Sequence, residues 1–150
     1  MIALIQRVKN ANVIIENKIH SEIGEGILIF LGITADDSND DIDWLSNKII
    51  NLRIFDDKNG VMNKSCLEIN GNLLVISQFT LHARTKKGNR PSYIDAAKPE
   101  ISQPLYNQFV TTLKNITKKE IKTGSFGANM QVNLCNDGPV TISIDSKNRR

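Results

Sequence analysis

Ser77-Gln78-Phe79-Thr80-Leu81 follows directly on the apolar run Leu73-Leu74-Val75-Ile76, so a segment that reads as a buried strand ends in hydroxyl and amide groups instead of turn residues. Such groups at a strand end can hold a ligand, both by side chain and by backbone N–H. A second stretch, Asn136-Asp137-Gly138-Pro139-Val140-Thr141, sets a Gly-Pro pair between two alternating segments, Met130 to Cys135 and Val140 to Ile144. Proline has no N–H to give to a central ladder. Asparagine, aspartate and glycine favour turns, and an X-Pro bond can be cis at a cost of about 0.5–1 kcal/mol. The pair marks either a plain hairpin turn or a rigid backbone corner with a further duty.

Cysteine and histidine limit the remaining chemistry. Cys66 and Cys135 lie far apart, and with only His20 and His82 beside them they form no metal-ligand spacing, so neither a metal nor a cofactor is expected. Both cysteines read as small buried side chains. His82 as a general base with Ser77 or Cys66 stays open, because the partners of such a site meet only in the fold, although neither residue sits in a glycine-flanked elbow.

Around these stretches the chain alternates in short strands. Ile2 to Val8 alternates, Val13 to Ile15 and Ile19 to Ile23 flank the turn Glu16-Asn17-Lys18, and Ile27 to Leu31 is an apolar run between Gly26 and Gly32. Asp36-Asp37-Ser38 offers helix caps, and Ile42, Leu45, Ile49 and Leu52 follow at helical spacing, with Trp44 beside that stripe as a core residue. Strand character returns at Arg53-Ile54-Phe55, and turns follow at Asp56 to Gly60 and at Asn70-Gly71. Ala83 to Ser92 is a loop, basic at Arg84, Lys86, Lys87 and Arg90, and a second helix is expected after Pro104, with Leu105, Phe109 and Leu113 on one face. Two helices among many strands imply an α+β fold: a strongly bent, barrel-like sheet with both helices outside it, in a single domain over residues 1–150.

A chain of 150 residues with net charge +3 suits one ordinary core and does not announce a nucleic-acid binder. No stretch approaches the roughly 20 apolar residues of a membrane span, and the opening residues lack the order of a secretory signal. A cytoplasmic protein without membrane attachment is expected.

The Ser77–Leu81 and Asn136–Thr141 stretches resemble the two signature motifs of the D-aminoacyl-tRNA deacylases. The likeness extends to Ile5-Gln6-Arg7-Val8, to Lys48 through Phe55, to Gly88-Asn89-Arg90-Pro91 and to Thr123 through Ala128, in order and over nearly the whole chain. The resemblance implies hydrolysis of the ester of D-aminoacyl-tRNA, and of glycyl-tRNA, with Ser77, Gln78, Phe79 and Thr80 as the catalytic stretch. Its oxyanion donors would be the main-chain N–H groups of Phe79 and Thr80, helped by the substrate's own 2′-hydroxyl; the Thr80 hydroxyl as nucleophile is the alternative. Gly138 and Pro139 would form a Gly-cisPro wall, inserted from the partner of a homodimer, that rejects L side chains by clash. Phe126, Gly127, Ala128 and Met130 would receive the 3′-terminal adenosine, and Arg7 would steady the cross-subunit motif or the nucleotide. Asn129 and Tyr93 depart from the aspartate and phenylalanine expected at their places.

The alternative from another class is a non-catalytic nucleic-acid-binding module. Its phosphate contacts would come from the Arg84–Arg90 loop and the tail Lys147–Arg150, and its stacking surfaces from Phe79 and Phe126.

Overall fold

The computed structural model describes residues 1–149. Strand β1 (Ile2–Ile15) turns through Glu16 and Asn17, both at positive φ, into β2 (Lys18–Ile23), and β3 (Gly26–Gly32) follows. Helix α1 (Asn39–Asn51) leads to a small hairpin, β4 (Phe55–Asp56) with β5 (Met62–Lys64), and then to β6 (Asn72–Ser77). A 3-10 turn over Phe79–His82, helix α2 (Pro99–Thr117), β7 (Lys122–Thr123) and β8 (Gln131–Asp145) complete the order.

The main sheet runs β2-β1-β3-β6-β7, with β8 also on β1. One edge of β1 carries β8 along almost its whole length, from Ile2 opposite Asp145 to Ile14 opposite Gln131, while β3 and β2 share the other edge. β3, β6 and β7 are parallel neighbours, and parallel strands need crossover connections, here made through α1 and α2. The sheet bends until its two ends meet: Ser21 Oγ on β2 donates to Thr123 O on β7 at 2.7 Å. The result is the barrel-like α+β fold expected from the sequence.

The apolar runs at 27–31 and 73–76 follow from burial on both faces. Ile27, Ile29, Leu31, Leu73 and Val75 face a core shared with Ile42, Leu45, Ile49 and Ile50 of α1 and with Tyr106, Phe109 and Leu113 of α2. Leu28, Leu74 and Ile76 face the inside of the bend with Val8, Ala11, Val13 and Ile23. Successive strand residues point to opposite faces, so a continuous run is what two covered faces require. At the start of β3 the strands come so close that a Cβ on Gly26 would lie 1.9 Å from Asn72 O.

The structure departs from the sequence expectations at four places. The segments on either side of Gly138-Pro139 are not separated by a hairpin turn; both belong to β8, antiparallel to β1, with register irregularities opposite Gln6, Val8 and Asn10. Likewise β1 runs unbroken from Ile2 to Ile15. α2 starts at Pro99, whose missing N–H costs nothing at a first helical position, and carries Pro104 within it. Cys66 is buried, but Cys135 is exposed on β8.

α1 is capped as the sequence suggested: the Ser38 N–H donates to Asp41 Oδ2 at 2.9 Å. Asp41 also receives Ser146 Oγ (2.7 Å) and Lys147 Nζ (2.8 Å), which ties the end of the chain to the start of this helix. Arg149 lies over the half-buried Trp44 ring at 4.4 Å. Two of the basic tail's charges are thus engaged within the molecule, and Arg150 lies outside the described residues. Among the described residues no helix is long and apolar enough to cross a membrane.

Candidate active site

At the end of β6 the Gln78 N–H makes a last bond to β3, to Leu31 O at 2.8 Å, and the chain then tightens into the Phe79–His82 turn. The leading N–H groups of such a turn have no partner inside it. Neither Phe79 N–H nor Thr80 N–H enters any side-chain hydrogen bond or loop hydrogen bond among the described residues. The Gln78 side-chain amide donates to Thr80 Oγ1. Phe79 is 55% exposed and meets Tyr93 edge-on, with ring centroids 5.1 Å apart.

Ser77, Gln78 and Phe79 line a cleft of about 550 Å³ together with Phe126, Gly127, Ala128, Asn129 and Met130. Leu31, Ile33, Ile76, Tyr93, Ala97 and Ser102 also line it. Phe126 is held from behind by Tyr106, at 5.8 Å between ring centroids, and Tyr106 in turn donates its hydroxyl to Val75 O at 2.8 Å. Phe126 is therefore braced through α2 onto the same strand that carries Ser77. Two other grooves, of about 660 Å³ each, lie around Trp44 and contain none of the expected site residues.

The lining of the cleft is more telling than its volume. It contains no Asp, Glu, Lys, Arg, His or Cys, and its one titratable side chain is Tyr93. The conventional constellation left open by the sequence is not assembled. Cys66 is enclosed elsewhere, where burial pushes its thiol up to about 12, and His82 points its enclosed Nε2 towards Gly32 without a hydrogen-bond partner. The Thr80 hydroxyl, engaged by Gln78, is not part of the lining, and among the described residues no group of His, Cys, Asp or Glu is placed to hold a metal.

Arg7, Gly138 and Pro139 do not line the cleft; they form a second, separate feature. Arg7 is 6% exposed, and its Nε donates to Asp137 O (3.0 Å) while its Nη1 donates to Ile54 O (2.7 Å). Its guanidinium also pairs with Asp137 Oδ2 and Asp56 Oδ1, both at 3.3 Å. Gly138 and Pro139, joined by a cis peptide, stand exposed beyond this clamp, with Gly138 at φ +118°. The sequence motifs thus divide into a cleft and a corner that share no lining residue. Ile33, Ala97 and Ser102 of the cleft have no sequence signal, being ordinary residues that the fold places in its lining.

A ligand-sized cleft with polar strand-end groups and no ionised side chain in its lining offers a ligand hydrogen-bonding and apolar contacts. The comparisons with known proteins give the chain a family. A family model described as D-Tyr-tRNA(Tyr) deacylase matches residues 4–145. A D-aminoacyl-tRNA deacylase of Bacteroides fragilis (strain YCH46) is 64% identical over 149 residues, covering 99% of each chain. Another, of Flavobacterium psychrophilum, is 60% identical over 99% of each. A solved structure described as "c-Myc DNA Unwinding Element Binding Protein" superposes with a TM-score of 0.91 at 39% identity, covering 97% of this chain and 98% of the other. A probable eukaryotic D-amino acid tRNA deacylase, at 14% identity and a TM-score of 0.82, shares the fold. This chain belongs to the D-Tyr-tRNA deacylase family.

Proposed function

We propose that the protein hydrolyses the ester of D-aminoacyl-tRNA, releasing the free D-amino acid and tRNA. Family membership over residues 4–145 supports the reaction, and the cleft without ionisable catalysts supports its manner. An aminoacyl ester is already reactive, so the protein has only to position it and stabilise the oxyanion. Water adds to the carbonyl carbon and the bond to the ribose 3′ oxygen breaks. The proton passes through the neighbouring 2′-hydroxyl to the departing oxygen. The unengaged N–H groups of Phe79 and Thr80 receive the oxyanion, a contribution of about 3–4 kcal/mol per donor in comparable sites. Ser77 and Gln78 border the ester, and the Phe126–Met130 wall takes the terminal adenosine, with Phe126 as the stacking face.

Stereochemistry comes from a second subunit. In the proposed homodimer the exposed Gly138-Pro139 corner of one chain enters the cleft of the other and blocks L side chains. Glycine, with no side chain to block, passes as a substrate. The observation that favours this arrangement is the separation of corner and cleft within one chain: each lacks what the other supplies. A cytoplasmic location agrees with a tRNA substrate.

Nucleic-acid binding without hydrolysis is the second reading, favoured by the described DNA binding of the relative at 39% identity. Release of amino acid from D-tyrosyl-tRNA by the purified protein separates the two readings. Binding of the charged tRNA without release overturns the deacylase reading.

A further inference from the structure

The Arg84–Ser92 loop takes no part in the chemistry above, yet it is rooted at the mouth of the cleft. Its ends are joined by two backbone hydrogen bonds, Arg84 N–H to Ser92 O (2.8 Å) and Ser92 N–H to Arg84 O (3.0 Å), and Arg84 is clamped by Asp95. Tyr93, the next residue, lines the cleft and meets Phe79. Residues 85 to 91 are all exposed and include no acidic side chain. Arg84 is occupied by its ion pair, but Lys86, Lys87 and Arg90 have no carboxylate within 4.0 Å among the described residues. Three free cations in five residues therefore stand next to two exposed aromatic rings at the entrance to a ligand cleft.

That combination matches one chemistry. A single-stranded polynucleotide offers phosphates to flexible cations and unpaired bases to aromatic faces, and neither contact requires a particular base. We propose that the loop carries the phosphodiester chain of the single-stranded 3′ end leading to the esterified nucleotide, which passes over the Phe79–Tyr93 pair as it enters the cleft. This rests on the deacylase reading and adds to it a track outside the cleft. The track lies on the substrate's approach, where positive charge both steers and holds an anionic strand.

The test compares two substrates that share the ester and the terminal adenosine: D-tyrosyl-tRNA, and 3′-O-D-tyrosyl-adenosine, which has no preceding nucleotides. A combined Lys86→Ala, Lys87→Ala, Arg90→Ala variant is assayed beside the unaltered protein at increasing salt. With single-strand slopes of about −0.7 per phosphate contact, three lost contacts should flatten the plot of log kcat/KM against log salt by roughly 2 for the tRNA. At low salt the tRNA value should drop roughly tenfold or more, while the adenosyl ester is cut at the unaltered rate. Tyr93→Ser should cost more on the tRNA than on the adenosyl ester. Unchanged tRNA hydrolysis and slope in the triple variant overturn the track, as does an equal loss on both substrates, which would make the loop a support of the cleft. If the unaltered protein cuts neither ester, the deacylase reading itself fails, and the track falls with it.

Discussion

Arg7 holds Asp137 by two groups at once, its Nε donating to the Asp137 carbonyl at 3.0 Å and lying 3.3 Å from the Asp137 carboxylate. The residue before Gly138-Pro139 is thereby fixed to β1 and, through Ile54 O, to the segment after α1. Hydrogen bonds to a charged group contribute about 1.5–3 kcal/mol each. Arg7→Ala is expected to lower the melting temperature by several degrees and to loosen the corner, so that the ratio of D- to L-tyrosyl-tRNA hydrolysis falls at least tenfold. Arg7→Lys, a single point donor, should recover part of the stability and little of the selectivity. An Arg7→Ala enzyme with unaltered selectivity would separate this clamp from stereochemistry.

Gly138 sits where a side chain has no room. Its φ is +118°, and a Cβ would come within 2.8 Å of Arg7 Nη2. Gly138→Ala should destabilise by about 1–3 kcal/mol, the usual range for a residue forced into such backbone geometry. Part of that cost is the clash with Arg7, so the substitution should be milder in an Arg7→Ala background. Thermal melts of the two single variants and the double variant give the coupling, expected on the order of 1 kcal/mol. Strict additivity would mean that the two residues do not press on one another.

Acid stability should depend on Asp41. Burial works against ionisation of its carboxyl, but hydrogen bonds from Lys147, Ser146 and the Ser38 N–H outweigh that, and its pKa lies well below the usual carboxylate value. An unfolded aspartate ionises near 3.9. Because the folded group ionises lower, its stabilising contribution is complete above that range and is lost as pH falls through the folded value. Melts between about pH 6 and pH 2 should show Asp41→Asn less stable than the unaltered protein at the upper end, with the difference shrinking as pH falls below about 4. A constant difference across the range would show that the carboxylate charge is not what Lys147 and Ser146 stabilise.

Conventional nucleophiles should prove dispensable. Cys66→Ala and His82→Ala are expected to keep kcat/KM within a few-fold wherever the variants remain folded, since neither side chain reaches the cleft. Thr80→Ala should lose more, through the Gln78 contact, but less than the 10²–10⁴-fold typical of a lost general base. A loss of that larger size in any of the three would return the mechanism to side-chain catalysis.

The division between cleft and corner could be read in the sequence, but the continuity of the elements that carry them could not. Gly138-Pro139 looks like a break because proline cannot donate to a ladder. In the fold β1 supplies a long antiparallel partner that tolerates register irregularities opposite the pair, so β8 passes through it. Pro104 looks like a helix start for the same reason, whereas Pro99, five residues earlier, holds the first helical position. The tail reads as free charge because Asp41 and Trp44, which engage Lys147 and Arg149, lie over a hundred residues away in sequence. Ser77 to Phe79 stand out in the sequence because polar groups ending a buried strand contradict the ordinary pattern, and Phe126 to Met130 because their order resembles a family's; both lie in the cleft lining, whereas Thr80 does not. Ser102 and Ala97, with neither signal, reach the cleft only in the fold, Ser102 on α2 and Ala97 through its N–H bond to Ile33 O.

Release of amino acid from D-tyrosyl-, L-tyrosyl- and glycyl-tRNA is the most direct test of an ester hydrolase proposed to exclude L side chains by a wall from its partner subunit. Hydrolysis of the D and glycyl esters with survival of the L ester is the predicted result, since only an L side chain meets the wall. Equal hydrolysis of D and L esters contradicts the wall, and survival of all three at high protein concentration contradicts the hydrolase.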